Sequence, residues 1–311
     1  MLDYIRYINQ YVCYCDHCKA AFQDWLNETI TDWTQFYPGG SRYNEYLEWR
    51  TLPVTQLVKD IHDLVKSINP NILISEAAWS LFDDTPVYWR KFKGQDTAKW
   101  IAEGYIDFVA PMMYAKSVTD VEEMINANLK YWMGGSPEGP IPLVAFLRND
   151  WDDEDLSPDQ LKAQIDLVRS KGLDGWIIWR YGGPGVDGDF PDITNYLSII
   201  DMPEVFAIKN IHVETSTNSA IITWITDIPS TSKVEYSPYL LFNASWEVWS
   251  DFHYWNITKT ETEFVENATS VVDHWITLSN LTSSTTYYFR VQSKGSSGIA
   301  TSKVLSFTTK S

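Results

Sequence analysis

The stretch Leu2-Asp3-Tyr4-Ile5-Arg6-Tyr7 stands directly behind Met1 and reads as a buried β-strand that carries a carboxylate. A strand with no leader or helix before it is expected in the middle of a fold. Working outward, apolar runs at 72–79, 106–114, 141–147 and 175–181 read as further strands. Helical stretches lie between them. In 54–68 the apolar residues Val54, Leu57, Val58, Ile61, Leu64 and Val65 recur at spacings of three and four. A second helix is predicted over 119–132. A third, over 157–170, opens with Ser157-Pro158-Asp159-Gln160, a capping-box start with Pro in the first turn, and Gly172 would end it. Residues 192–200 read as a closing helix. Strands alternating with amphipathic helices imply parallel pairing through right-handed crossovers. No Gly-rich phosphate loop follows any strand, which disfavours a nucleotide-binding sheet and leaves a barrel as the expected architecture.

After Met202-Pro203 the texture changes. Alternating, β-branched segments at 220–226, 232–237, 275–278, 286–292 and 303–308, separated by Ser/Thr/Gly turns, predict a β-sandwich of about 100 residues. An aromatic stretch, 239–270, interrupts it. The domains are therefore expected to be 1–202, α/β, and 203–311, all-β.

Charge narrows the function classes. The chain has 311 residues and a formal net charge of −17; 31 acidic against 17 basic side chains precede residue 203, and 10 against 7 follow. Such a surface repels phosphate backbones, so no nucleic-acid partner is expected. No apolar run reaches the roughly 18 residues that span a bilayer. Sequons at Asn27, Asn243, Asn256, Asn267 and Asn280 favour an exported, extracellular or cell-surface glycoprotein, although no signal peptide precedes the first strand.

In a parallel barrel the site lies at the C-terminal ends of the strands. Those ends carry Asp3, Glu76, Tyr114, then Arg148, Asp150 and Trp151, then Trp179, Arg180 and Tyr181. Carboxylates among flat aromatic faces are what glycosidic cleavage requires: one acid protonates the leaving oxygen, another attacks or activates water, and rings stack on the sugar. Arg6, Trp79, Tyr114, Arg148, Trp151, Trp179 and Tyr181 are the expected substrate contacts, with a polysaccharide or glycan as substrate. Each residue also has a purely structural reading: Asp3 as an Arg6 partner, Glu76 as a rim acid, Asp150 as part of a solvated acidic loop, the Trp residues as core. All three cysteines fall in Cys13-x-Cys15-x-x-Cys18 beside His17, a plausible structural zinc set; a disulfide with one spare thiol, or three free thiols, are the alternatives.

The motifs Leu2–Tyr7, Cys13-Tyr14-Cys15-Asp16-His17-Cys18, Phe22, Trp49-Arg50, Ile106-Asp107-Phe108-Val109-Ala110-Pro111-Met112-Met113-Tyr114 and Gly172-Leu173-Asp174-Gly175-Trp176 together resemble the glycosyl hydrolase-like (β/α)8 barrel group across residues 1–200. If 175–181 is the eighth strand of such a barrel, 2–7 is the fourth, and about five βα units of a TIM-type barrel are present. The resemblance implies Asp3 as nucleophile, Glu76 as acid/base and Asp150 as transition-state stabiliser. It also implies retaining hydrolysis, with no cofactor needed for catalysis. A similar Cys-x-Cys-x-x-Cys segment in some barrel β-galactosidases binds structural zinc with a further Cys from an earlier strand. A separately encoded N-terminal half-barrel is then an expected partner. The alternative is a non-catalytic carbohydrate- or surface-binding protein.

Leu281-Thr282-Ser283-Ser284-Thr285-Thr286-Tyr287-Tyr288-Phe289-Arg290-Val291 resembles the fibronectin type III signature, with Tyr287 placed for a tyrosine corner and Trp224 for the core. The N-terminal sandwich of purple acid phosphatases is a close relative by the same pattern. A phosphatase activity is not expected, because no metallophosphatase domain follows in the sequence.

Overall fold

The computed structural model describes residues 1–82, 86–137, 139–148, 150–151, 154–179, 207–249, 252–296 and 298–311. The expected closing helix and Tyr181 lie outside these residues.

The first part alternates helix and strand: α1 (Asp16–Leu26), a 3-10 turn (Trp33–Phe36), α2 (Tyr43–Ile68), β1 (Ser75–Trp79), α3 (Tyr88–Lys93), α4 (Thr97–Ala102), β2 (Phe108–Met112), α5 (Val118–Trp132) and β3 (Val144–Arg148). A two-residue hairpin of β4 (Asp150–Trp151) and β5 (Glu154–Asp155) follows, then α6 (Pro158–Ser170) and β6 (Gly175–Trp179). Strands β1, β2, β3 and β6 form a parallel sheet in that order. The predicted capping box of α6 is present.

Two sequence expectations shift. Residues 2–7 form no full strand: Leu2 makes one parallel bridge to Glu76, donating to Ser75 O and accepting from Ala77 N. Tyr4 then turns to φ 55°, which ends extended pairing. Conversely, α2 begins eleven residues before the periodic Val54 and runs through Pro53. An interior Pro removes a helix donor at a cost of about 3 kcal/mol, and burial of Tyr46, Leu47, Trp49 and Val58 offsets it.

Strand alternation sorts the sheet into two faces. One carries Ile74, Ala78, Val109, Leu143, Ala145 and Leu147, packed under the helices with Trp100, Ile125, Leu161 and Ile165 in the main core. The other carries Ala77, Ala110 and Phe146, with Met112, Tyr114, Val144 and Ile177 half-buried around them.

The second part comprises β7 (Ile208–Thr215), β8 (Ser219–Ser237), β9 (Phe242–Trp249), β10 (Phe252–Lys259), β11 (Glu263–Ser279), β12 (Thr286–Gly295), β13 (Gly298–Thr301) and β14 (Leu305–Thr308), all antiparallel. It is a β-sandwich around Ile222, Trp224, Val234, Phe289 and Val291. Tyr287 accepts a hydrogen bond from Thr282 N at 3.0 Å, the tyrosine corner that its position predicted. Trp224 stacks on the buried ring of His274 at 4.9 Å and donates to Ser293 Oγ.

The aromatic interruption is the β9–β10 hairpin, whose strands pair only with each other among the described residues. It packs on α2, α4 and α5, and Ile257, 2 % exposed, belongs to the main core of the α/β part along with Phe242 and Trp255. At the same junction Glu235 holds Arg290 at 2.6 Å and Lys259 at 2.7 Å, while Arg290 Nη1 donates to Gly139 O at 3.0 Å. These contacts hold the Glu235 carboxyl well below the usual range, against the opposing effect of its burial.

Candidate functional site

Because registers pair side chains on a common face, the open face of the sheet can be read strand by strand. Ala77 and Trp79 lie opposite Ala110 and Met112; Met112 lies opposite Phe146; Phe146 and Arg148 lie opposite Ile177 and Trp179. Leu2 shares a face with its bridge partner Glu76, and Asp3 follows it outside any strand, exposed, just before the turn at Tyr4.

The C-terminal rim of this face gathers several of the expected residues. Phe146 joins the ring of Tyr114 at 5.8 Å to that of Trp179 at 6.1 Å, and the Arg148 guanidinium lies 5.9 Å from the Tyr114 centroid. Trp179 is 38 % exposed. Asp3 is exposed, with Oδ1 accepting from Tyr4 N at 2.8 Å. Phe146 bridges the two rings, yet it was not singled out in the sequence, where it looks like any buried strand residue.

Glu76 is not brought to this rim. It points into the helix-covered face, fully buried, where Oε1 accepts from Thr97 Oγ1 at 3.2 Å and Oε2 has no partner. Burial, reinforced by the nearby Asp96 charge, pushes its pKa up to about 8. Asp3 is exposed while Glu76 is fully buried, so the two carboxyls do not open on one site as the expected pair would. One residue of register decides which face Glu76 takes, since strand side chains alternate.

Trp79 sits on the rim, but its ring is already occupied. It packs on Trp89 at 4.6 Å, with Arg6 at 5.1 Å and Lys93 at 5.5 Å from its centroid. Two cations thus lie against the ring that was expected to meet a sugar. Asp150 and Trp151 begin the hairpin just beyond β3, and their side chains lie outside the described residues.

The three cysteines converge: Cys15 caps α1, Cys18 lies in its first turn, and the three Sγ atoms are within 4.8 Å of one another with no disulfide. The Cys15 thiol is held below its ordinary value, chiefly by the Cys18 backbone N–H, whereas burial pushes Cys18 up to about 12. Sulfurs bound about 2.3 Å from one ion lie within such a spacing, so the set fits a tetrahedral zinc with one further ligand.

A family model described as glycosyl hydrolase-like 10 matches residues 11–136, and one for the N-terminal domain of purple acid phosphatase matches 208–309. The second model describes the phosphatase N-terminal sandwich, the relative that shares the fibronectin pattern, and is not a fibronectin type III model. No curated protein matches the chain. Among solved structures, the FN5 domain of Drosophila Lar is 12 % identical, with 35 % of this chain and 99 % of that one covered at a TM-score of 0.24. An FN3 domain of human collagen XX is 15 % identical, with 35 % and 95 % covered at 0.24. A structure named as a myokine is 18 % identical, with 34 % and 97 % covered at 0.24.

Proposed function

We propose that this chain cleaves O-glycosidic bonds in a polysaccharide or glycan at the C-terminal rim of its parallel sheet, with Asp3 as the attacking carboxylate. The observation that carries the reading is an exposed Asp3 carboxylate, one residue past the bridge at the β1 edge, beside a sheet whose rim carries Tyr114, Arg148 and Trp179. The glycosyl hydrolase-like match over 11–136 supports the substrate class. The second carboxylate in this scheme is Asp150, which follows the end of β3, in place of the inward Glu76. A carboxyl separation of about 5–5.5 Å would make the reaction retaining, and a wider one inverting.

The sheet is read as an arc of a (β/α)8 barrel. Only Leu2 bridges the outer edge of β1 among the described residues, so that edge can accept the strands of an N-terminal half-barrel. Asp3→Asn is expected to lower the release of reducing ends from a cleaved polysaccharide at least about a thousandfold, with binding retained. Equal activity in the variant would refute Asp3 as nucleophile.

One observation favours sugar binding without cleavage. Among the described residues no carboxylate stands in register on the open face of β1, β2, β3 and β6, and Asp3 lies just outside the paired residues. Retention on polysaccharide with no reducing ends released, in wild type and Asp3→Asn alike, would establish that reading.

Zinc on Cys13, Cys15 and Cys18 is proposed as structural: it would tie the start of α1 to the preceding loop. The purified protein is expected to take up one equivalent of zinc, measured by a colorimetric metal indicator, and Cys18→Ser to lose it. Removing the zinc with a chelator should lower the melting temperature. Export as a glycoprotein completes the reading, with Asn27, Asn243, Asn267 and Asn280 exposed and Asn256 bonded to Glu247 at 2.9 Å.

A further inference from the structure

We infer that the rim beside Asp3 holds the acidic group, a carboxylate or sulfate, of an anionic sugar, through Arg6 and Lys93. The inference rests on the glycan reading above and names its substrate class.

In a chain of net charge −17 a cation has acidic neighbours in plenty, and two of the buried arginines show the usual outcome. Arg90 holds Asp96 and Glu48 at 2.8 Å each, and Arg290 holds Glu235 at 2.6 Å. Arg6 and Lys93 have no such partner among the described residues, and both are half-buried. The Arg6 guanidinium lies between the Tyr4 ring at 4.8 Å and the Trp79 ring at 5.1 Å. Lys93 sits over the same Trp79 ring and donates to Ile8 O at 2.6 Å. The nearest acid in sequence, Asp3, spends one oxygen on Tyr4 N and lies beyond ion-pair distance of Arg6.

The two cations are held together by construction. Tyr7 N donates to Lys93 O at 2.8 Å, which fastens the 4–10 segment to the end of α3. Arg50, 1 % exposed, clamps the same segment through Asn9 O and Gln10 O and lies 4.2 Å from the Tyr7 centroid. Gly94 permits the approach: its φ is +71°, and a Cβ there would meet the Tyr7 ring at 3.1 Å. Burial lowers the Lys93 pKa, and the charges of Arg6 and Arg50 lower it further, which is mutual repulsion that a bound anion would relieve. Like charges fixed together without a counter-charge cost stability, a common mark of a binding site. Both charges lie against the one Trp79 ring, where an anionic sugar substituent would be met by a guanidinium and an ammonium.

Affinity electrophoresis of the full chain tests this in gels containing polygalacturonate (carboxylate), dextran sulfate (sulfate) or unsubstituted dextran (neutral). Retardation is expected in at least one acidic gel and to be stronger than in dextran, despite the protein's own negative charge. It should weaken at least about tenfold in Arg6→Gln/Lys93Gln and fade with added salt. Arg6→Lys, which keeps the charge, should retain most of the binding and guards against a folding defect in the double variant. The carboxylate and sulfate gels separate the two sources of the anion. Equal retardation by neutral and acidic gels, or full binding by a folded double variant, overturns the inference and leaves the glycan reading standing. No retardation in any gel overturns both.

Discussion

Glu76→Gln is expected to raise the free energy of unfolding by about 3 kcal/mol at about pH 7. The side chain is fully buried, with its pKa raised from 4.5 to about 8. A carboxyl raised in this way is protonated in the folded state while the unfolded chain has already released its proton. The folded state therefore binds more protons, and its stability falls as pH rises from about 4.5 to about 8. Below about 4.5 both states are protonated and the penalty vanishes. Gln has the same shape without the proton, so the variant lacks this pH dependence. Urea unfolding at about pH 4.5, 6 and 8 measures it: the gap between variant and wild type should widen with pH. A constant gap would mean that Glu76 is ionised in the folded protein, with a partner the packing does not provide. The same experiment separates a structural acid from a catalytic one, because Glu76 is fully buried while Asp3 is exposed.

Ile257→Ala in the β9–β10 hairpin is expected to cost about 3 kcal/mol, the usual loss for a large aliphatic side chain from a packed core. The residue is 2 % exposed and packs with the core of the α/β part, although its sequence position lies well inside the sandwich region. Far-UV circular dichroism at 222 nm, which reports the helices, should melt earlier by several degrees in the full chain. If the sandwich were an independent appendage, the helical signal would not move. The Arg290–Glu235–Lys259 cluster at the same junction fixes the hairpin to the sandwich, so strain in one part reaches the other.

How much of this was legible in the sequence depended on the range of the interactions involved. The helix over 157–170 could be read because its start signal and apolar spacing are local, and the tyrosine corner because Tyr287 and Thr282 are five residues apart. The convergence of Cys13, Cys15 and Cys18 follows from their crowding in six residues. Strand existence was equally local. Strand ends were not, since the chain leaves extended geometry at Tyr4 and Tyr7 then bonds Lys93, far along the chain.

The sequence by itself determined the alternation of helices with parallel strands in the first part and the antiparallel all-β character of the C-terminal part. It also placed Arg148 and Trp179 at strand ends. Only the tertiary structure decided that Glu76 faces the helices, that Trp79 serves Arg6 and Lys93, and that a sandwich hairpin completes the core of the first part. The physical reason is that periodicity names which residues share a face. Which face is covered, and by what, is fixed by packing among segments distant in sequence.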